Sequence, residues 1–302
     1  MNRKDQKNSG QGITPKPPWL RRRLPSGPHY EQTRRLIQRE GLHTVCQEAN
    51  CPNMFECFSK HTATFLILGD LCTRNCTFCD VQHGRPQALD IQEPARVAQA
   101  AAEMGLAYVV VTSVTRDDLP DGGAAVFAAT IRALKDRIDG VSVEVLIPDF
   151  QGDAEALSTV LEAGPDVLNH NIETVPRLYP RVRPQADYQR SLTLLRRSKQ
   201  HASHIPTKSG IMLGLGEKED EVRRSLSDLR ETGCNIVTLG QYLRPGPDHH
   251  PIERYATPEE FETWRRTALG MGFDEAASGP FVRSSYHAHD AFKKIDGGRN
   301  AR

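Results

Sequence analysis

The chain has 302 residues, enough for one large domain or two modest ones, with 38% hydrophobic and 25% charged residues, which excludes a wholly disordered protein. Lys and Arg total 39 against 38 Asp and Glu, so the net charge of +1 gives no global drive toward nucleic acid or membrane. No run reaches the ~18 apolar residues of a membrane span, and a soluble, cytoplasmic protein is expected.

Residues 1–27 carry seven basic side chains and one acid, Asp5, without an apolar stretch. They read as a solvated basic tail, because Arg21, Arg22 and Arg23 clump beside Pro17 and Pro18 rather than spreading along an amphipathic helix. A short helix is expected over 30–39, leading into a cysteine-dense region. Strand-like, β-branched runs follow at 62–68, 108–112, 141–147, 166–172, 205–213 and 235–240, with helical segments between them at 93–104, 122–138, 153–163, 187–201 and 219–232. Thr257-Pro258-Glu259-Glu260 opens a last helix, with Thr at the N-cap and Pro in the first turn.

Six strands alternating with helices imply parallel pairing through right-handed crossovers. Polar residues inside the strands select between a doubly wound sheet and a barrel. Asn169, Asn171 and Glu173 share one face by the period of two, and Glu144 points opposite Val143 and Val145. Strands buried on both faces read as continuous apolar runs, whereas a binding lumen tolerates inward polar groups. The fold class expected is therefore α/β, a partial (β/α)6 barrel. Its parts are a tail and short helix (1–40), an N-terminal cluster-binding extension (41–60), the barrel (61–270) and a C-terminal closing segment (271–302).

Six of the seven cysteines fall between Cys46 and Cys79. Cys72, Cys76 and Cys79 form C-x3-C-x2-C on a loop directly after the first strand. Structural zinc wants four ligands, commonly from C-x2-C pairs, and no fourth Cys or His stands at a natural distance. Three soft thiolates suit an Fe–S cubane with one iron left open. Cys46, Cys51 and Cys57 form C-x4-C-x5-C, a second set of three. Two clusters is the simpler count, and zinc or buried structural cysteines is the bland one.

With Phe78 before its third cysteine, the first motif resembles the signature of the radical S-adenosylmethionine (SAM) superfamily. The resemblance implies a [4Fe–4S] cluster on Cys72, Cys76 and Cys79, SAM chelating the open iron, and Phe78 near the adenine. Paired with the second motif, the chain is similar to the lipoyl synthase family over nearly its whole length. The likeness runs through Lys16-Pro17-Pro18-Trp19-Leu20-Arg21, Glu48-Ala49-Asn50-Cys51-Pro52-Asn53, 111–119, 169–175, 240–245 and Arg283-Ser284-Ser285-Tyr286-His287-Ala288.

That resemblance implies two [4Fe–4S] clusters, the auxiliary one on Cys46, Cys51, Cys57 and Ser285. It also implies sulfur insertion at C6 and C8 of a protein-bound octanoyl chain, with the auxiliary cluster as sulfur donor. The partners implied are an octanoylated lipoyl carrier domain and an electron donor such as flavodoxin or ferredoxin, with no nucleic acid and no membrane. A biotin-synthase-like sulfur inserter, needing neither the Cys46 motif nor Ser285, and a zinc-binding interaction protein are the alternatives.

Asn171, Glu173 and Arg183 are candidate SAM contacts, and Arg181 is offered either to SAM or to an acidic partner. The glycine-rich stretch 208–217 lacks a P-loop's G-K-[ST]. It is read either as a tight turn or as close backbone approach to SAM, with Glu217 at a helix start. Asp117 and Asp118 are expected to hydrogen-bond or to cap a helix starting at Gly122. His249-His250 and His287-x-His289 are read as loop histidines, and Cys234 as a free thiol outside any motif. His250 stands where the family commonly has an apolar residue, and Phe58 where it has Trp.

Overall fold

The computed structural model describes residues 16–21, 28–59 and 63–300, with the side chains of Pro28 and 296–300 left aside. Most of the basic tail, including Arg3, Lys4, Lys7, Arg22 and Arg23, and the first residue of the 62–68 run lie outside the described residues. Helix α1 (Pro28–Arg39) precedes strand β1 (His43–Thr44) and the short helices α2 (Val45–Glu48) and α3 (Met54–Ser59). Thereafter strand and helix alternate as β2 (Thr64–Ile67), α4 (Glu93–Glu103), β3 (Tyr108–Ser113), α5 (Ala124–Arg137), β4 (Ser142–Leu146) and α6 (Ala154–Glu162). Next come β5 (Val167–Asn169), the single turn α7 (Tyr179–Val182), α8 (Tyr188–His201), β6 (Thr207–Leu213), α9 (Glu219–Glu231) and β7 (Ile236–Gln241). The chain closes with α10 (Pro258–Gly270), β8 (Glu275–Gly279) and α11 (Ala288–Asn300).

The strands form one sheet in chain order from β1 to β8. Strands β2–β8 are parallel and β1 pairs antiparallel with β2 in the register His43↔Leu66. All six expected strands are present, and the sheet adds β1 and β8 at its two edges. Those edges do not pair with each other, so the barrel is open along one seam.

Local chemistry starts the helices where the sequence places them. Asp153 accepts from Glu155 N at 2.8 Å, Asp187 from Arg190 N at 2.6 Å, and Thr257 from Glu260 N at 3.2 Å ahead of Pro258. Glu260 does not reach back to close a box, because Arg254 holds its carboxylate at 2.7 and 2.8 Å. Helix α5 begins at Ala124 rather than Gly122. Gly122 and Gly123 have φ of +60° and +91°, outside helical space, and a Cβ at Gly123 would stand 2.3 Å from Leu68 Cδ1.

Alternation along each strand divides the core. Val109, Val111, Val143 and Val145 turn to the helices and are fully buried among Phe127, Ile131 and Leu134; each such valine contributes about 1.5–3 kcal/mol. Tyr108 and Val110 face the other way, onto Ala288 and Phe292 of α11, while Val167 and Ile236 meet Ile295. The C-terminal helix thus covers the end of the barrel where β3, β5 and β7 begin. Between these apolar groups sits a buried ion pair, Lys208 Nζ to Glu144 Oε1 at 2.9 Å, both 1% exposed. Tyr108 OH (2.6 Å) and Asn169 Nδ2 (3.1 Å) also donate to Glu144. Glu144 does point opposite Val143 and Val145, and this network is the reason.

The 166–172 run is shorter as a strand than its sequence implies. After Asn169 the chain leaves regular pairing, and Glu173 takes φ of +62°. Glu173 remains beside β6 through Glu173 N to Gly210 O (2.9 Å) and Met212 N to Glu173 O (2.8 Å).

Candidate functional site

Strand β2 ends in a tight reversal, Leu68 at φ +70° and Gly69 at φ +90°. Glu93 Oε2 accepts from Leu68 N at 2.8 Å, and the buried Arg116 donates to Leu68 O at 3.3 Å. This held turn delivers the chain to Cys72, Cys76 and Cys79. The cysteine loop is laced on both sides: Cys72 N to Gln82 O (2.8 Å) and Gly84 N to Cys72 O (2.9 Å) on one, Thr73 N to Thr115 O (3.0 Å) and Thr77 N to Val182 O (3.0 Å) on the other. Arg74 N and Thr115 N aim at Cys72 Sγ from 3.4 and 3.3 Å. Such N–H···S contacts are those a cluster-bound thiolate uses.

Burial pushes the Cys79 thiol up to about 12, and the charges of Cys76, Cys72 and Glu173 add to that effect. Cys76 is likewise raised by burial, with Arg183 opposing. Two thiols that burial keeps from ionising, with Cys72 on the same loop, are a fit for a polynuclear cation that neutralises them together. Phe78 packs against the main core beside Cys72 and Val81.

Of the candidate SAM contacts, Arg183 reaches this loop. Its Nη1 donates to Asn171 O (2.9 Å), Ile172 O (3.1 Å) and Tyr179 OH (3.2 Å), and its Nε is buried without a partner. An open guanidinium N–H at that place fits a carboxylate-bearing ligand. Burial raises the Glu173 carboxyl, against the pull of Arg183, Asn171 and Arg283. Asn171 is already engaged, donating to Glu173 Oε1 at 3.0 Å and to Ser284 Oγ at 2.7 Å. Arg181, by contrast, is exposed, and only its carbonyl meets the loop, accepting from Thr77 Oγ1 at 2.9 Å.

The second set gathers across the seam. Thr44 caps α2, which carries Cys46; Cys51 N returns to Cys46 O at 3.0 Å, and α3 carries Cys57. The three cysteines pack together with Phe58 and Met54. Burial, then the charge of Cys51, pushes the Cys46 thiol up to about 12. Phe58, fully buried, stands 5.7 Å from Tyr30 and fills its place as an apolar residue.

Ser285 arrives from the other edge. Asn53 Nδ2 donates to Phe281 O at 2.8 Å and Tyr286 OH donates to Glu56 Oε2 at 3.0 Å, so residues on both sides of Ser285 are tied to the Cys46–Cys57 segment. Two strand glycines make room for this strap. A Cβ at Gly240 would stand 2.2 Å from Val282 O, and one at Gly210 would stand 3.0 Å from Ser284 Oγ. All seven cysteines are free thiols. Among the described residues no three His, Cys, Asp or Glu side chains converge on a single ion.

The other candidates lie outside both sets. Asp117 pairs with Arg74 (2.7 Å) and Asp118 with Arg116 (2.8 Å), while helix α5 is preceded by Asp121, which accepts from Gly123 N and Ala125 N. The capping expected of Asp117 and Asp118 thus falls to Asp121. Glu217 does not hold a helix end; its carboxylate accepts from Gly214 N and Leu215 N at 2.8 and 2.9 Å and shapes the glycine turn. At Gly214 a Cβ would meet Gln241 Nε2 at 2.3 Å, so the chain's own packing demands glycine there.

His250 is buried, with its ring Nε2 3.0 Å from Leu215 O, and His249 Nε2 lies 3.2 Å from Cys79 O. His287 and His289 diverge, one to Asp290 and the other stacked on Tyr108. Cys234 is buried with its sulfur 3.3 Å from Ile236 O. Sequence reasoning missed Arg74, Asn53 and Glu56, whose partners are remote in the chain. Position inside the two cysteine motifs was the only signal that marked them.

Residues 66–229 match the radical SAM superfamily. Lipoyl synthase of Rubrobacter xylanophilus is 57% identical over 91% of this chain and 86% of its own. That of Pelobacter propionicus is 56% identical over 91% and 88%, and that of Caldicellulosiruptor saccharolyticus 55% over 93% and 99%. The chain belongs to the lipoyl synthase family. It is a radical SAM enzyme, and membership implies SAM and a [4Fe–4S] cluster. The fold agrees: HydG, a maturase of the [FeFe]-hydrogenase, superposes with a TM-score of 0.55 at 16% identity, covering 88% of this chain and 67% of that one. Methylornithine synthase gives 0.53 at 15%, covering 80% and 73%. No helix among the described residues is long and apolar enough to cross a membrane.

Proposed function

We propose that this lipoyl synthase family member inserts sulfur at C6 and C8 of an octanoyl-lysine on a carrier domain, using two [4Fe–4S] clusters held by its two thiol sets. When bound, SAM and its cluster supply a 5′-deoxyadenosyl radical for hydrogen removal from unactivated carbon, and the auxiliary cluster supplies sulfide. The chain's own residues hold and orient these groups. Cys72, Cys76 and Cys79 leave one ligand position for SAM, while Arg183 offers its unpaired Nε–H to the SAM carboxylate, with Glu173, Asn171 and Phe78 beside it. Cys46, Cys51 and Cys57, with Ser285, hold the second cluster.

The observation that carries this reading is the docking of the Phe281–Tyr286 strap on the Cys46–Cys57 segment, which gives Ser285 a reason to stand there. A sulfur inserter without the auxiliary set needs no such strap. An alkoxide is harder than thiolate and matches iron–sulfur chemistry less well, so its iron is the one most readily released. An electron donor of the flavodoxin or ferredoxin class supplies the reducing electron, and seven free thiols suit the reducing cytoplasm.

The test is anaerobic incubation of octanoylated carrier protein with reconstituted enzyme, SAM and reductant, followed by mass measurement of the carrier. A gain of two sulfurs is expected, with two hydrogens fewer where the dithiol has closed to the disulfide, and SAM cleavage without sulfur gain overturns the reading.

A further inference from the structure

Arg74 lies inside the first cysteine motif and is 6% exposed. Its guanidinium grips two carboxylates. Nε and Nη2 donate to Asp117 at 2.7 and 2.9 Å, and Nη2 donates to Asp149 at 2.5 Å. Asp149, itself 1% exposed at its side chain, also meets Arg190 at 3.3 Å and accepts from Gln151 N at 3.1 Å. Asp117 and Asp149 stand just beyond β3 and β4, so this one side chain fastens the cysteine loop to two neighbouring strands. Beside it Thr73 Oγ1 donates to Thr115 O at 2.9 Å and accepts from Asp117 N at 3.0 Å.

The consequence falls on Cys72. Its sulfur faces two backbone N–H groups, one from Arg74 itself and one from Thr115. Both donors belong to the laced pair of segments, 73–74 and 115–117. We infer that the Arg74–Asp117–Asp149 pairing is a positioning device that holds these two N–H donors on Cys72 Sγ and thereby sets the reduction potential of the SAM-cleaving cluster. Donors to a cluster sulfur favour the reduced, more negative cluster. The guanidinium charge is paired with two carboxylates and is kept in Arg74→Lys, so that variant reads the backbone geometry rather than a change of field. Lysine keeps the charge but not the planar fork, so Arg74→Lys loosens the lace without leaving the carboxylates unanswered.

The inference rests on Cys72, Cys76 and Cys79 holding a cluster. Parent enzyme, Arg74→Lys and the milder Asp117→Asn are purified anaerobically and compared for iron and sulfide content, thermal midpoint and redox titration. The titration is followed by the EPR signal that SAM perturbs, which belongs to the cluster with the open iron. At parental iron content, Arg74→Lys is expected to need a lower potential, with about a tenfold smaller reduced fraction at fixed potential, equivalent to ~59 mV for one electron. Asp117→Asn should move the same way by less. Parental potentials in both variants at full iron content overturn the positioning role. A parent enzyme without a SAM-perturbed iron signal overturns the cluster assignment instead.

Discussion

Asn53 and Phe281 are joined by a 2.8 Å hydrogen bond across 228 residues of chain. With Tyr286 to Glu56 it bridges the open seam between the segments that flank the two edges of the barrel. The cysteine segment follows β1 and the serine strap follows β8, so on the proposed ligand set neither edge completes the second site alone. Each bond contributes about 1 kcal/mol net. Loss of both in an Asn53→Ala/Tyr286→Phe variant should therefore leave a folded protein with a loosened strap. Iron analysis should show the SAM-perturbed cluster retained and the second depleted after brief chelator treatment. Equal chelator resistance in variant and parent removes the strap from the second site.

Replacing the serine tests what it contributes chemically. On the proposed ligand set, Ser285→Cys supplies a fourth soft ligand, so the auxiliary cluster should be retained and become harder to dismantle. SAM cleavage should continue while sulfur insertion falls at least ~10-fold, a barrier change of about 1.4 kcal/mol. Mass measurement of the carrier checks this; insertion at the parental rate would discard the labile-ligand argument.

What the sequence disclosed follows from which features are local. Most of β2–β7 were legible because Val, Ile and Thr recur in them, and Cys72–Cys79 because three thiols at fixed spacing have few uses. Strand β8, Glu-Ala-Ala-Ser-Gly, has no β-branched residue and owes its place to pairing with β7. Helix α11 carries two glycines, and α2 and α3 are too short to show a period. Glu144 was legible as an inward polar residue, but its partner Lys208 is 64 residues away, as Asp117 and Asp149 are 43 and 75 from Arg74. Pairings at that range are decided by the sheet register, which no local pattern states.

The Glu144–Lys208 pair gives a stability prediction. Both side chains are 1% exposed, so removing one leaves the other charged and buried. Lys208→Met should destabilise the protein by about 3–5 kcal/mol. Adding Glu144→Gln, which keeps a polar group for Tyr108 and removes the unpaired charge, should restore part of that loss. Urea denaturation of both single variants and the double closes the cycle, and simple additivity would deny the coupling.

His170 is expected to contribute to the acid limb of stability. Its ring is 2% exposed, with Nδ1 2.9 Å from Ile147 O and Nε2 2.9 Å from Ser191 Oγ, so the neutral ring donates to the carbonyl and accepts from the hydroxyl. Burial first, then Arg183, lowers its pKa to about 4. An unfolded histidine titrates near 6.5. Between those values the unfolded chain binds the extra proton, so stability rises with pH through the window and is lost as pH falls from about 6.5 toward about 4. The loss attributable to this group is about 3 kcal/mol when complete. His170→Asn, which keeps a donor and an acceptor but does not titrate, should be less stable than the parent at pH 7.5. It should also show a shallower decline between pH 6.5 and pH 4.5 in denaturation midpoints. Parallel declines in the two proteins would assign the acid limb to other groups.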